Sequence, residues 1–323
     1  MFKTYWSLED VPEDQGCTAL AIGNFDGLHR GHTEILERTK CEARRLGGEA
    51  VVLTFDPHPT TVVRPEHAPA LLMTLAERVR HFGLYGLDAT VVLTFTPEIA
   101  SLSPADFVRT ILVGKLRARS VVVGESFRFG YQKAGTLAVL RTLGQDLGFE
   151  THDVQPVMAG GRTVSSTAIR ELVRAGKVEA ARRLLGRPFS VVGEVVSGKG
   201  IGSKETVPTL NLVPDADVQP AHGVYVTLTC DRESGKQWNS VTNVGLQPTF
   251  NGNKQTIETY LIDPLEGCTL SRIEHAFLHR LRDEKCFASA EDLRQQILCD
   301  VESTKRYFRR CRPSKLSHDT HRH

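Results

Sequence analysis

The sequence predicts an α/β unit built on a doubly wound parallel sheet, followed by a small antiparallel β-barrel with a closing helix. Three observations carry that prediction. Up to about residue 185, apolar runs alternate with helical patterns, as strands and crossover helices do in a parallel sheet. At Gly186 and Pro188 the rhythm breaks, and short alternating runs separated by turn residues take over. The first apolar run ends in a glycine-rich loop, G-N-F-D-G-L-H-R-G-H over residues 23–32, which opens a helical pattern. The chain is therefore divided into residues 1–186, residues 187–309 and a polar, histidine-bearing tail at 310–323 that is expected to be disordered.

In the first part, strands are expected near 17–22, 50–55, 89–95 and 120–124, with a less regular candidate at 150–155. Helical patterns lie near 31–46, 74–85, 104–117, 136–147, 167–174 and 177–185. The first of these stops at Gly47 and Gly48, a helix C-terminal signal. In the second part, short strands are expected at 189–197, 209–213, 224–230, 238–244, 256–262 and 272–281, and a helix at 289–308.

Composition narrows the function. At 323 residues, 40% hydrophobic and 24% charged, the chain has room for two domains of ordinary globular make-up. A net charge of +2 gives no bulk basic field for nucleic acid. The 7 cysteines are scattered without a C-x-x-C, which suggests a reducing compartment and no structural metal. The first residues carry Lys3, Glu9, Asp10, Glu13 and Asp14 and do not read as a signal peptide. With no apolar run long enough to span a bilayer, a cytoplasmic protein with no membrane partner is expected.

The loop at 23–32 lies where open α/β sheets bind ligands, at the carboxyl end of a strand. Its glycines, Gly23 and Gly27, let backbone N–H groups approach an anion, and the helix start adds a positive dipole end. His29 and His32 are three apart, on one side of that helix start. Two imidazoles there suit phosphate charge that grows in a transition state; two ordinary loop histidines are the plainer alternative. T-F-D-P-H-P at 54–59 ends the second strand and could be only a turn. In G-E-S-F-R-F-G at 124–130, Phe127 and Phe129 are either a stacking floor for a planar ring or two core phenylalanines. R-T-V-S-S-T-A-I-R at 162–170 puts hydroxyls before a helical run and arginines beside it, which suits a polyphosphate as well as a plain N-cap. In the second part, a glycine loop with Gly198 and Gly202 precedes Thr209 and Asn211, and an alternating strand carries Thr256, Glu258 and Tyr260 on one face.

The string at 23–32 resembles the H-x-G-H motif of the nucleotidyltransferase superfamily. With F-D-G before it, it resembles the bacterial bifunctional riboflavin kinase/FAD synthetase family. R-T-V-S-S-T-A-I-R is similar to that superfamily's phosphate-binding motif, T-F-D-P-H-P to the family's second motif, and V-P-T-L-N to its kinase motif. The resemblance implies an FMN adenylyltransferase over 1–186 and a riboflavin kinase over 187–309. ATP would be the co-substrate, Mg2+ the cofactor, and riboflavin and FMN the other small-molecule partners. It implies catalytic roles for His29, His32 and Glu258, the last as a base if its face looks into the barrel mouth. It implies nucleotide contacts at Gly23, Phe25, Asp26, Gly27, Arg162, Ser165, Ser166, Thr167, Arg170, Gly198, Gly202, Thr209 and Asn211. Flavin contacts would come from Pro57, His58, Ser126, Phe127 and Phe129, and metal contacts from Thr209 and Asn211. Thr206 and Ser203 depart from the family's glycine and arginine, and Ser126 and Lys133 from its usual Asp or Asn and Arg. A relative with an impaired kinase half and a different acceptor or nucleotide, and a flavin-binding regulator without activity, are the alternative readings.

Overall fold

The computed structural model describes residues 1–196, 209–249, 252–265 and 269–311. The chain divides into two compact units, Met1–Ser165 and a second that begins at Ser166.

The strands of the first unit are β1 (Lys3–Tyr5), β2 (Thr18–Ile22), β3 (Glu49–Asp56), β4 (Ala89–Thr94), β5 (Ala118–Gly124) and β6 (Glu150–Val154). They form one parallel sheet in the order β1-β4-β3-β2-β5-β6. The chain winds from β2 through β3 to β4 in one direction, then returns to place β5 on the other side of β2. The switch point therefore lies between β2 and β5. The connections carry α1 (Arg30–Leu46), α2 (Pro59–Val63), α3 (Leu75–Leu84), α4 (Pro97–Ser101), α5 (Pro104–Asp106) and α6 (Leu137–Leu147).

Strand β2 is buried on both faces, and its alternation sorts the core. Leu20 and Ile22 join Leu53, Val121 and Val123 under Phe107, Ile111 and Leu140. Ala19 and Ala21 join Val52 and Val122 on the opposite face, where small side chains leave room for Ile35, Leu36 and Ala43 of α1. α1 ends on left-handed Gly47, whose N–H caps the Ala43 and Arg44 carbonyls.

One predicted helix differs. The pattern at 104–117 becomes only three residues of α-helix, α5, followed by a π-helix at Phe107–Lys115. Its wider winding shows in the bond from Leu116 N–H to the Ile111 carbonyl at 2.9 Å. Gly114 permits it, since a Cβ there would lie 2.8 Å from the Arg109 carbonyl oxygen. A hairpin of β7 (Met158–Ala159) and β8 (Arg162–Thr163) ends the unit.

The second unit opens with α7 (Ser166–Arg174) and α8 (Val178–Leu185). The change of rhythm at 186 coincides with the end of α8, so the compact unit takes in two helices that the sequence pattern groups with the first part. Next come β9 (Phe189–Val196), β10 (Leu210–Pro214), β11 (Gly223–Asp231), β12 (Gln237–Thr249), β13 (Gly252–Leu261), β14 (Arg272–Arg282) and α9 (Ala290–Arg310). The strands close an antiparallel barrel in the order β10-β13-β12-β11-β14-β9. α9 covers part of its outside, with Ile297, Val301, Tyr307 and Phe308 packed among Val224, Val226, Val241 and Leu278. The tail at 312–323 lies outside the described residues.

The barrel interior is partly polar. Thr227, Thr229, Ser240, Thr242, Thr259 and His275 are fully buried. Their side chains close a ring: His275 Nδ1 to Thr229 (2.9 Å), Thr229 to Ser240, Ser240 to Thr227 and Thr227 to Thr242 (each 2.7 Å), Thr242 to Thr259 (2.8 Å), and Thr259 to His275 Nε2 (3.0 Å). A neutral imidazole, donor at one nitrogen and acceptor at the other, suits such a ring. Burial holds it neutral, pushing the His275 pKa down to about 3.

Candidate functional site

The loop between β2 and α1 sits at the switch point. Parallel pairing of β2 with β3 and β5 sets it beside the ends of those two strands. Its turn is tight and left-handed: φ is 52° at Phe25, 82° at Gly27 and 40° at Leu28. Two of those residues carry side chains that disfavour this conformation, so surrounding contacts must impose it. Asp26 supplies one set: its buried carboxylate accepts the Leu72 and Met73 N–H groups at 3.0 and 3.1 Å. Phe25 supplies another, lying edge-on to Phe82 of α3 at 5.5 Å between centroids. Both side chains hold the loop from within, so any contact of residues 25 and 26 with a nucleotide falls to their backbone.

The loop delivers two histidines. His29 is the N-cap of α1, and its Nδ1 accepts the His32 N–H at 3.3 Å. That bond leaves the ring proton on Nε2, making His29 a neutral donor at its outer nitrogen. The His32 ring stacks on His29 at 3.6 Å and 15°, and meets Phe25 edge-on at 5.2 Å. Burial first, then the neighbouring His29 ring and the Arg78 charge, lower the His32 pKa well below the usual imidazole value. Both imidazoles therefore serve as neutral hydrogen-bond donors.

At the end of β3, Pro57 is exposed and His58 caps α2, its Nδ1 accepting Thr60 N–H at 3.2 Å. At the end of β5, Ser126 is exposed, and Phe127 stacks on Phe129 at 5.5 Å and 15°. Phe129 is a core residue, 7% exposed and packed against Phe107. The expected two-ring floor is thus one half-buried ring, Phe127, resting on a buried one. Spacing alone cannot separate those cases. Arg162 and Ser165 belong to the first unit; Ser166, Thr167 and Arg170 open α7 in the second.

A functional candidate that sequence reading missed is Arg78 of α3. It is 2% exposed, and its Nη1 donates to the Asn24 carbonyl at 2.6 Å, inside the same loop. An arginine in a helical pattern reads as a solvated face, and no spacing marks it out.

On the barrel, register places Asn211, Glu258 and Asn243 in one row across β10, β13 and β12. The row lies outside the barrel, because Ile257 and Thr259 take the interior positions. The condition that this face look into the barrel interior is thus not met for Glu258, which shares its outward row with Asn211 and Asn243. A side chain at Gly245 would collide with the Glu284 carboxylate and lie 3.2 Å from Asn243 Nδ2, so Glu284 reaches this same face. Burial, then the Glu284 charge, raise the Glu258 pKa. Thr209 is exposed and immediately precedes β10, the strand that carries Asn211. A hydroxyl, an amide oxygen and a neighbouring carboxylate are hard oxygen donors, which fit Mg2+. Gly198, Gly202, Ser203 and Thr206 lie outside the described residues.

Comparison with known proteins matches both units. The FAD synthetase family matches residues 11–168, and the riboflavin kinase family residues 185–308. A bifunctional riboflavin kinase/FMN adenylyltransferase of Pseudomonas fluorescens is 38% identical over 296 residues, covering 91% of this chain and 94% of its own length. The enzyme of the same name from Escherichia coli (strain K12) is 32% identical over 308 residues, 95% of this chain and 97% of its own. A solved structure titled as a macrolide-efflux protein from Streptococcus pneumoniae superposes with a TM-score of 0.83 at 28% identity, covering 94% of this chain and 98% of that one. Among the described residues no helix is long and apolar enough to cross a membrane.

Proposed function

We propose an assignment of residues to chemistry from one premise: the chain belongs to the bifunctional riboflavin kinase/FMN adenylyltransferase family. It makes flavin cofactors, phosphorylating riboflavin to FMN with ATP and adenylylating FMN to FAD with release of pyrophosphate. The first activity belongs to the barrel and the second to the α/β unit, as the two family matches divide them.

In adenylyl transfer, an FMN phosphate oxygen attacks the α-phosphorus of ATP. The bond to pyrophosphate breaks as the new phosphoanhydride forms. The nucleophile is already an anion, so no base is needed, and catalysis is positioning plus charge stabilisation. His29 Nε2–H and His32 donate to the phosphate oxygens while charge builds. Backbone N–H groups at Gly23 and Gly27 and the start of α1 add to that field. Phe127 offers the flavin a ring face, with Pro57, His58 and Ser126 beside it. Arg162 and Ser165, in the same unit, take nucleotide phosphates. The observation that carries this reading is the stacked, neutral His29–His32 pair at the switch point.

On the barrel, the ribityl hydroxyl attacks the γ-phosphorus of ATP, the bond to ADP breaks as the new ester forms, and Glu258 accepts the hydroxyl proton. A carboxylate whose pKa is raised is the stronger base. Thr209 and Asn211 would hold Mg2+, which supplies charge neutralisation at the phosphates when bound. Gly198 and Gly202 are proposed to cover those phosphates.

Incubation of the full chain with ATP and Mg2+, and with either riboflavin or FMN, tests the assignment. Chromatography should resolve FMN and FAD from riboflavin, and FAD from FMN. In Glu258→Gln the first conversion should fail and the second persist. Unchanged flavins in both wild-type incubations would refute it.

A further inference from the structure

We propose that Arg78 is a positioning residue for adenylyl transfer: its buried guanidinium locks the loop at 23–32 through the Asn24 carbonyl and thereby sets the places of His29 and His32. This rests on the adenylyltransferase reading of that loop.

Three features carry the proposal. First, Arg78 Nη1 reaches both the Asn24 carbonyl at 2.6 Å and Thr54 Oγ1 at 3.4 Å. One side chain thus ties the loop after β2 to the end of β3. Second, the tie coincides with left-handed Phe25, the residue that follows Asn24. The same helix also engages that residue through Phe82, and the backbone just before the helix engages Asp26. The loop is fastened at three successive residues, two by α3 and one by the backbone just before it, and Arg78 holds the first. Third, a guanidinium 2% exposed keeps its charge in a place where burial disfavours it, so the charge has to be held there by its surroundings. Asp26 and Asp56 oppose the effect of burial.

The charge has a consequence for His32. The groups that act on that imidazole are His29, on its own helix, and Arg78, from α3. Both push it toward the neutral form, and burial acts in the same sense. Without the guanidinium the ring protonates more easily and stacks against His29 as a cation, where a neutral donor is needed.

The test uses the full chain with Arg78→Met and Arg78→Lys, assayed for FAD formation from FMN and ATP across pH. Urea unfolding followed by circular dichroism serves as the control for folding of the first unit, because riboflavin phosphorylation reports on the barrel alone. Arg78→Met should lower kcat for FAD formation by about a hundredfold, as expected when reacting groups are misplaced by around an ångström. Its acid limb should move to higher pH than in the wild type. Arg78→Lys keeps a charge and a donor, so it should recover part of kcat and leave the limb where the wild type has it. Loss of kcat with an unmoved acid limb in Arg78→Met would mean a structural role only, and a wild-type kcat in that variant would overturn the proposal outright. If Arg78→Met does not fold, a wild-type kcat in Arg78→Lys overturns it and a reduced kcat with an unmoved limb supports it. His29→Ala separates the premise: full FAD formation in that variant would remove the adenylyltransferase reading of the loop, whatever Arg78 does.

Discussion

His29 shows how one residue can shape a site and also work in it. Its Nδ1 caps α1 through the His32 N–H, and that bond fixes which nitrogen faces outward as a donor. Phe127 makes a second case at this scale. It rests on Phe129, whose ring is buried, and its other face is the one a planar ligand could reach, so truncation removes that stacking face. Phe127→Ala should raise KM for FMN about tenfold, with a smaller effect on KM for ATP, as befits loss of a stacking partner worth roughly 1 kcal/mol or more. Steady-state kinetics of FAD formation with each substrate varied in turn measures this. Equal loss for both substrates would place the flavin elsewhere.

At the scale of elements, the β2–α1 loop is held by α3 and the residues just before it rather than by its own sequence. Gly27 illustrates the fit: φ is 82°, and a Cβ there would lie 2.7 Å from Leu72 Cδ1. Gly27→Ala should destabilise the first unit by about 1–3 kcal/mol, seen in denaturant unfolding, and lower FAD formation with it. In the barrel, His275 sets the response to acid. Its folded pKa, about 3, lies below the ordinary value of 6.5, so across that interval the unfolded chain binds the extra proton. Stability is complete above 6.5 and falls with pH by about 1.4 kcal/mol per unit. His275→Gln keeps a donor and an acceptor but does not titrate in this range, so that slope should disappear from urea unfolding measured at several pH values. An unchanged slope would assign the acid response to other groups.

The same elements mark what the sequence could convey. Strand β2 and helix α1 stood out because burial on both faces and a glycine stop each leave a pattern. Strand β1 left none, being three residues long and paired to β4 alone. The side of Glu258 was hidden for a different reason. Alternation sorts a strand into two faces, but this barrel fills its interior with hydroxyls and an imidazole, so polarity does not say which face is inside. Arg78 was hidden because a buried cation is recognised only by its partners, which come from β3 and from the loop after β2.

For the whole molecule, the account assigns one activity to each compact unit, each with its own phosphate chemistry. The stacked histidines belong to the α/β unit, and the Asn211–Glu258–Asn243 row to the barrel. Damage to one site should therefore leave the other working, and the intermediate FMN should reveal which has failed. The most direct measurement is the flavin product of His29→Ala incubated with riboflavin, ATP and Mg2+, resolved by chromatography. The predicted result is FMN that accumulates and goes no further, with FAD formation reduced by the roughly 2–4 kcal/mol of transition-state stabilisation that one donor supplies. FAD made at the wild-type rate, or loss of both products from a folded protein, would contradict it.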